Sequence, residues 1–141
     1  MKRRKIQMLA YPLVILFAGM LMVAFDAPSE NIPKEEWDIP AKYEEMENPY
    51  AGDKSLDRVG KMVYMKNCRS CHGNKGEGDG PKAKSMETEM IPFSDGDFQA
   101  QSDGAIYYQS IIGRDEMPNF EKKIPAEEDR WAVVNYIRSF K

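Results

Sequence analysis

The sequence is poor in the side chains that hold metals. Its 141 residues contain two cysteines and a single histidine. A structural zinc site takes four Cys/His ligands, so this set falls short of one. There is no third cysteine to carry an N-terminal lipid, and two imidazoles of one chain cannot meet on the same metal. An excess of basic charge is also missing. The formal net charge is −3, and no basic stripe marks a nucleic-acid surface, so no nucleic-acid partner is expected. Strand alternation of useful length does not occur. The βαβ context that a thioredoxin-like thiol pair needs is therefore absent. Gly73, Gly76, Gly78 and Gly80 lack both the G-x-G-x-x-G spacing and the preceding strand of a nucleotide site.

The scarce residues stand together, in Cys68-Arg69-Ser70-Cys71-His72. A C-x-x-C-H pentad reads as an attachment site for one covalent haem c. The two thiols add to the vinyl groups of the porphyrin and become thioethers. His72 is then held beneath the iron, where a neutral imidazole nitrogen is a good ligand. The competing readings are a thiol redox pair, half a zinc site, or a chance pentad.

The chain opens with Lys2, Arg3, Arg4 and Lys5, followed by a run from Ile6 to Phe25 with no charge. As a helix, such a run would span roughly 30 Å, the thickness of a bilayer core. Residues 1–25 are thus expected to be an uncleaved transmembrane anchor or a signal segment. A cleaved signal would have a shorter apolar region and an A-x-A-like site, which Met22-Val23-Ala24 matches weakly. The basic flank puts the N-terminus in the cytoplasm and the rest on the periplasmic side.

Residues 26–50 follow as an acidic tether with Pro28, Pro33, Pro40 and Pro49. Eight acids against Lys34 and Lys42 give it a net charge of −6, while the anchor carries +4 and residues 51–141 carry −1. Such a composition suits an extended, self-repelling spacer. Trp37, Ile39 and Tyr43 can also dock locally, so a segment wrapped around the domain is the alternative.

Residues 51–141 form the domain, and their pattern is helical. Ser55 can cap a helix bearing Leu56, Val59, Gly60 and Val63. Ser102 or Asp103 can cap a second, with Ala105, Ile106, Ile111 and Ile112, ended by Gly113. A third starts at Pro125, with Glu127, Glu128 and Asp129 in its first turn, and carries Trp131, Val133, Val134, Tyr136, Ile137 and Phe140. The glycine loop between the first two helices reads as a tight passage near a haem edge.

These residues resemble a class I monohaem cytochrome c of the bacterial, periplasm-facing type. The resemblance rests on Gly60-x-x-x-Tyr64-x-x-x-Cys68-x-x-Cys71-His72-Gly73, on Gly78-Asp79-Gly80-Pro81, on Gly113 through Met117-Pro118 to Phe120, and on Trp131 through Tyr136-Ile137. It covers the domain in order, and excludes the anchor and tether. It implies an all-α cytochrome c-like fold around one covalent haem. Gly60 and Tyr64 would then face the C-terminal helix near Val133 and Tyr136. The Pro81 carbonyl would accept from the far nitrogen of His72, orienting the ring.

Methionine is the usual sixth ligand in this family. Of ten methionines, Met86, Met90 and Met117 follow the pentad. Met117-Pro118 matches the family motif, which makes Met117 the expected ligand, with Met86 and Met90 as packing. The resemblance implies a one-electron carrier, not an enzyme. Its partners would be a quinol:cytochrome c reductase-type donor and a terminal oxidase-type acceptor at the outer face of the cytoplasmic membrane. The alternatives are a fixed haem subunit of such a complex, or a haem enzyme or sensor with open iron. Lys66, Arg69, Lys75, Lys82, Lys84 and Arg114 are candidates for a docking rim.

Overall fold

A computed structural model describes residues 36–141. The anchor expected over residues 1–25 lies outside the described residues, as do residues 26–35 of the tether. Among the described residues no helix is long and apolar enough to cross a membrane.

Six α-helices appear among the described residues: α1 (Ala41–Glu44), α2 (Asp57–Asn67), α3 (Arg69–His72), α4 (Gly96–Ala100), α5 (Asp103–Tyr107) and α6 (Glu127–Arg138). No strand accompanies them; an isolated bridge pairs Arg114 with Met117. The all-α expectation therefore holds for these residues.

The frame of the domain is the crossing of α2 and α6. Leu56, Gly60, Tyr64 and Cys68 recur every four residues, so they share one helical face, and all four are buried. On α6 the buried set is Trp131, Ala132, Val133, Val134 and Ile137. A Cβ at Gly60 would overlap the carbonyl of Ala132 and come within 3.0 Å of the Tyr136 Cβ. The two backbones approach closely only because position 60 has no side chain. The Tyr64 ring fills the rest of the crossing, 5.2 Å from each of the Tyr136 and Phe140 ring centres.

Three helix ends differ from the sequence expectation. Ser55 does not cap the first helix. Asp53 does so through a short 3-10 turn, Lys54–Leu56, accepting from the Ser55 N–H at 2.9 Å and from its hydroxyl at 2.7 Å. A carboxylate is the stronger acceptor, so the hydroxyl beside it acts as donor. The last helix begins at Glu127 after an Ala126 cap, leaving Pro125 before the cap instead of in the first turn. Ser102 does cap the middle helix, accepting from Ala105 N–H at 3.0 Å, but α5 ends after five residues and continues as a π-helical turn, Tyr108–Ile112. There Gly113 N–H reaches Tyr108 O at 3.1 Å, and the Ser110 hydroxyl bonds back to Ile106 O at 2.5 Å. Such back-bonding bends a helix and favours the wider turn.

Residues 36–50 lie against the domain. Tyr43, Met46 and Tyr50 pack on its core. Asn48 donates to Asp103 and Asn135, both at 2.8 Å, and Asn135 donates to Tyr50 O at 2.7 Å. Gly104 admits this strap, because a Cβ there would overlap the Tyr43 carbonyl. Trp37 lies under the Arg114 guanidinium, 4.3 Å from ring centre to the central carbon, and Arg114 also donates to Glu36 O at 2.9 Å. Of the two readings of the tether, wrapping describes these residues.

Candidate functional site

The pentad forms a helical turn at the end of α2. Cys68 closes α2 through its N–H to Tyr64 O at 2.8 Å. Its carbonyl then accepts from Cys71 N–H at 3.1 Å and His72 N–H at 3.0 Å. Cys68 and Cys71 are three positions apart in this helical stretch and so lie on one side of the turn. Both are free thiols; Cys68 is buried and Cys71 half-buried. Burial, helped by the nearby Cys71, pushes the Cys68 thiol up to about 12. The attacking thiol of a redox pair has its pKa lowered, the opposite of the direction here.

His72 is half-buried, its ring stacked on Phe93 with centroids 4.6 Å apart and planes at 23°. Burial draws the imidazole down to about 4, so the ring is neutral at physiological pH and keeps a lone pair for a metal. Its Nδ1 is buried and has no hydrogen-bond partner. The expected bond to the Pro81 carbonyl is therefore not formed, and the ring turns to Phe93 instead. Pro81 nevertheless sits beside the pentad: its neighbours Gly80 and Lys82 donate to Cys71 O at 3.0 Å and Ser70 O at 2.9 Å. The other fixed point is the Tyr64 hydroxyl, which donates to Gly73 O at 2.8 Å and ties α2 to the residue after His72.

The glycine loop packs against protein. A Cβ at Gly76 would press on the Phe93 ring, one at Gly78 on Met90, and one at Gly80 on the carbonyls of Ser70 and Cys71.

Met117 is half-buried and packs against the cluster that contains Cys68 and Phe93. Its N–H bonds to Arg114 O at 2.7 Å, and Phe120 N–H bonds to Ile111 O at 2.8 Å, so a short turn presents it. Met86 and Met90 are also half-buried and line an open groove with Glu87 and Thr88. Next to Met117, Glu116 accepts from the backbone N–H groups of Glu87 and Thr88. Those bonds, from Thr88 first, hold its carboxyl below the usual range. Sequence reading missed Glu116, because its partners lie 28 and 29 residues away and are backbone groups with no sequence signature. Of the expected docking rim, Lys66, Arg69, Lys75, Lys82 and Lys84 are exposed, whereas Arg114 is engaged with Glu36 and Trp37.

The residues present fit a covalent haem. Two thiols stand one turn apart, a neutral imidazole follows with a buried nitrogen unclaimed, and a thioether borders the same core. Among the described residues no cluster of three or more His, Cys, Asp or Glu offers a competing metal site. A helical domain built around such a turn defines the class of c-type cytochromes. Residues 55–137 match the family described as Cytochrome C oxidase, cbb3-type, subunit III, and the chain belongs to that family. Solved structures that resemble this chain include a c-type cytochrome and a chain of a protein complex. The KustC0563 c-type cytochrome is 32% identical, with a TM-score of 0.50, over 58% of this chain and 96% of its own. A chain of the Kuenenia stuttgartiensis reducing HAO-like protein complex Kustc0457/Kustc0458 is 29% identical, with a TM-score of 0.54, over 62% of this chain and 44% of its own. The chain thus spans nearly all of the first and less than half of the second. No curated protein matches. The domain is that of an electron-transfer protein, and its family implies haem c.

Proposed function

We propose that this chain carries single electrons through one haem c at the outer face of the cytoplasmic membrane. The carrying observation is the pentad turn, which sets Cys68 and Cys71 on one side of a helical turn with a half-buried His72 directly after them. Cys68 and Cys71 would hold the porphyrin by thioether bonds, His72 and Met117 would be the protein's ligands to its iron, and Pro81 would stand against the same turn. The haem supplies the one-electron exchange between ferric and ferrous iron. The protein's part is to set potential, exposure and access. With two side chains of the protein as ligands, the iron would be closed to small molecules. A thioether ligand favours the reduced state, and burial disfavours the added charge of the oxidised one; both raise the potential.

Residues 1–25 would hold the protein in the membrane as a single-pass anchor with the haem domain on the periplasmic side. The donor would be a quinol-oxidising complex and the acceptor a terminal oxidase. A second reading, a fixed haem subunit of such a complex, is favoured by the family's own description as an oxidase subunit and by the similar chain within a protein complex.

The full chain should be expressed with haem maturation and purified in mild detergent. Denaturing electrophoresis should show haem staining on the polypeptide, and intact mass should show one haem added. A preparation whose stain is lost on denaturation contradicts the proposal. Elution alone supports the free carrier, and elution with a stoichiometric partner supports the subunit.

A further inference from the structure

The turn that presents Met117 is closed on itself and on α5's continuation. Met117 N–H bonds to Arg114 O, and Phe120 N–H to Ile111 O. Neither bond reaches the segment that carries the other two thioethers. Glu116 does. Its Oε2 accepts from Thr88 N–H at 2.8 Å and from Glu87 N–H at 3.1 Å, and its Oε1 lies 3.2 Å from the same Glu87 nitrogen. The two donors lie between Met86 and Met90 in sequence. One exposed carboxylate therefore joins the Met117 turn to the backbone between its two rivals.

The bonds have the form of a clamp. A carboxylate gripped by successive backbone N–H groups is charge-assisted and directional, stronger than a neutral pair. Its donors are main-chain groups, so the clamp fixes the path of residues 86–90 whatever side chains stand there. The segment otherwise offers an open groove and half-buried methionines, the kind of region that opens at low free energy. A flexible thioether on such a segment can fill a gap or reach a vacant ligand position.

We propose that Glu116 is a positioning residue, which pins the Glu87–Thr88 backbone to the Met117 turn and so keeps Met117, and not Met86 or Met90, as the thioether that faces the iron. The inference rests on the reading of Met117 as axial ligand. It assigns Glu116 no contact with the haem.

The test uses the full-length holoprotein in detergent, with Glu116→Ala, Glu116→Gln and Met117→Ala beside the parent. Two readouts report the ligand: the near-infrared band of Met–Fe(III) ligation and the affinity of the ferric protein for imidazole. Glu116→Ala should weaken the band and bind imidazole about tenfold more tightly, the scale of one lost charge-assisted bond. Glu116→Gln keeps one acceptor oxygen and should restore most of the parental behaviour. A Glu116→Ala protein that melts earlier but keeps the parental band and imidazole affinity overturns the proposal, because the carboxylate is then a surface tie only. Met117→Ala separates the two claims. If it alone opens the iron, the clamp fails and the ligand stands; if it leaves the iron closed, the ligand reading itself fails. Should the Glu116 variants not fold, amide hydrogen exchange on the parent decides. Glu87 and Thr88 N–H should exchange at least tenfold more slowly than an unprotected peptide, and unprotected exchange at both overturns the proposal.

Discussion

Tyr64 joins three parts of the molecule with one side chain. Its ring is fully buried in the α2–α6 crossing, and its hydroxyl holds the carbonyl of Gly73, next to His72. A buried phenol keeps its proton, since burial pushes its pKa up, and so remains a donor across the physiological range. Tyr64→Phe should leave the ring packing intact and orphan the Gly73 carbonyl. The expected cost is about 1–3 kcal/mol in chemical denaturation, with haem still attached. Loss of haem attachment in that variant would show that the hydroxyl acts on the pentad itself. The residue scale was also the most legible. Cys68, Cys71 and His72 stand together in the sequence, so a haem attachment site could be proposed there without a fold. Glu116 and the engagement of Arg114 with Trp37 were not legible, because both join segments far apart in the chain.

Periodicity marked the helices well where one face is buried over several turns. α2 and α6 were legible for that reason; the close approach of position 60 to the other helix came instead from the resemblance to cytochromes c, and the nearest backbone there is Ala132 and not Val133. Ends were less legible, since a cap is a competition between neighbours. Asp53 outcompetes Ser55, and the π-helical turn after α5 carries a side chain, that of Ser110, bonded back to the main chain. The α2–α6 crossing makes a sharp prediction. Gly60→Ala puts a methyl group into the Ala132 carbonyl, and neither helix can yield without moving its buried face. The variant should lose about 1–3 kcal/mol, measured by denaturant midpoint. A neutral result would mean that the two helices are not in contact at this point.

At the scale of the molecule, a small domain gains from anything that covers its core. Residues 36–50 do this here: Tyr43 lies 4.7 Å from the Tyr108 ring centre, and Asn48 bridges Asp103 and Asn135. The acidic, proline-containing composition pointed to a spacer, because the few residues that dock are diluted among charges that face solvent. Asn48→Ala removes two side-chain donor bonds and leaves Asp103 and Asn135 each without one partner. It should lower stability by about 1–3 kcal/mol while the haem spectrum stays parental. An unchanged midpoint would mean the strap is not fastened there.

The central proposal is that His72 and Met117 both ligate the haem iron. The most direct measurement is the visible and near-infrared spectrum of the oxidised protein, with carbon monoxide then added to the reduced form, for the parent and Met117→Ala. The parent should show the Met–Fe(III) band and take up carbon monoxide slowly or not at all, and the variant should lose the band and bind the gas rapidly. A variant with the parental spectrum and the parental closed iron would contradict the account.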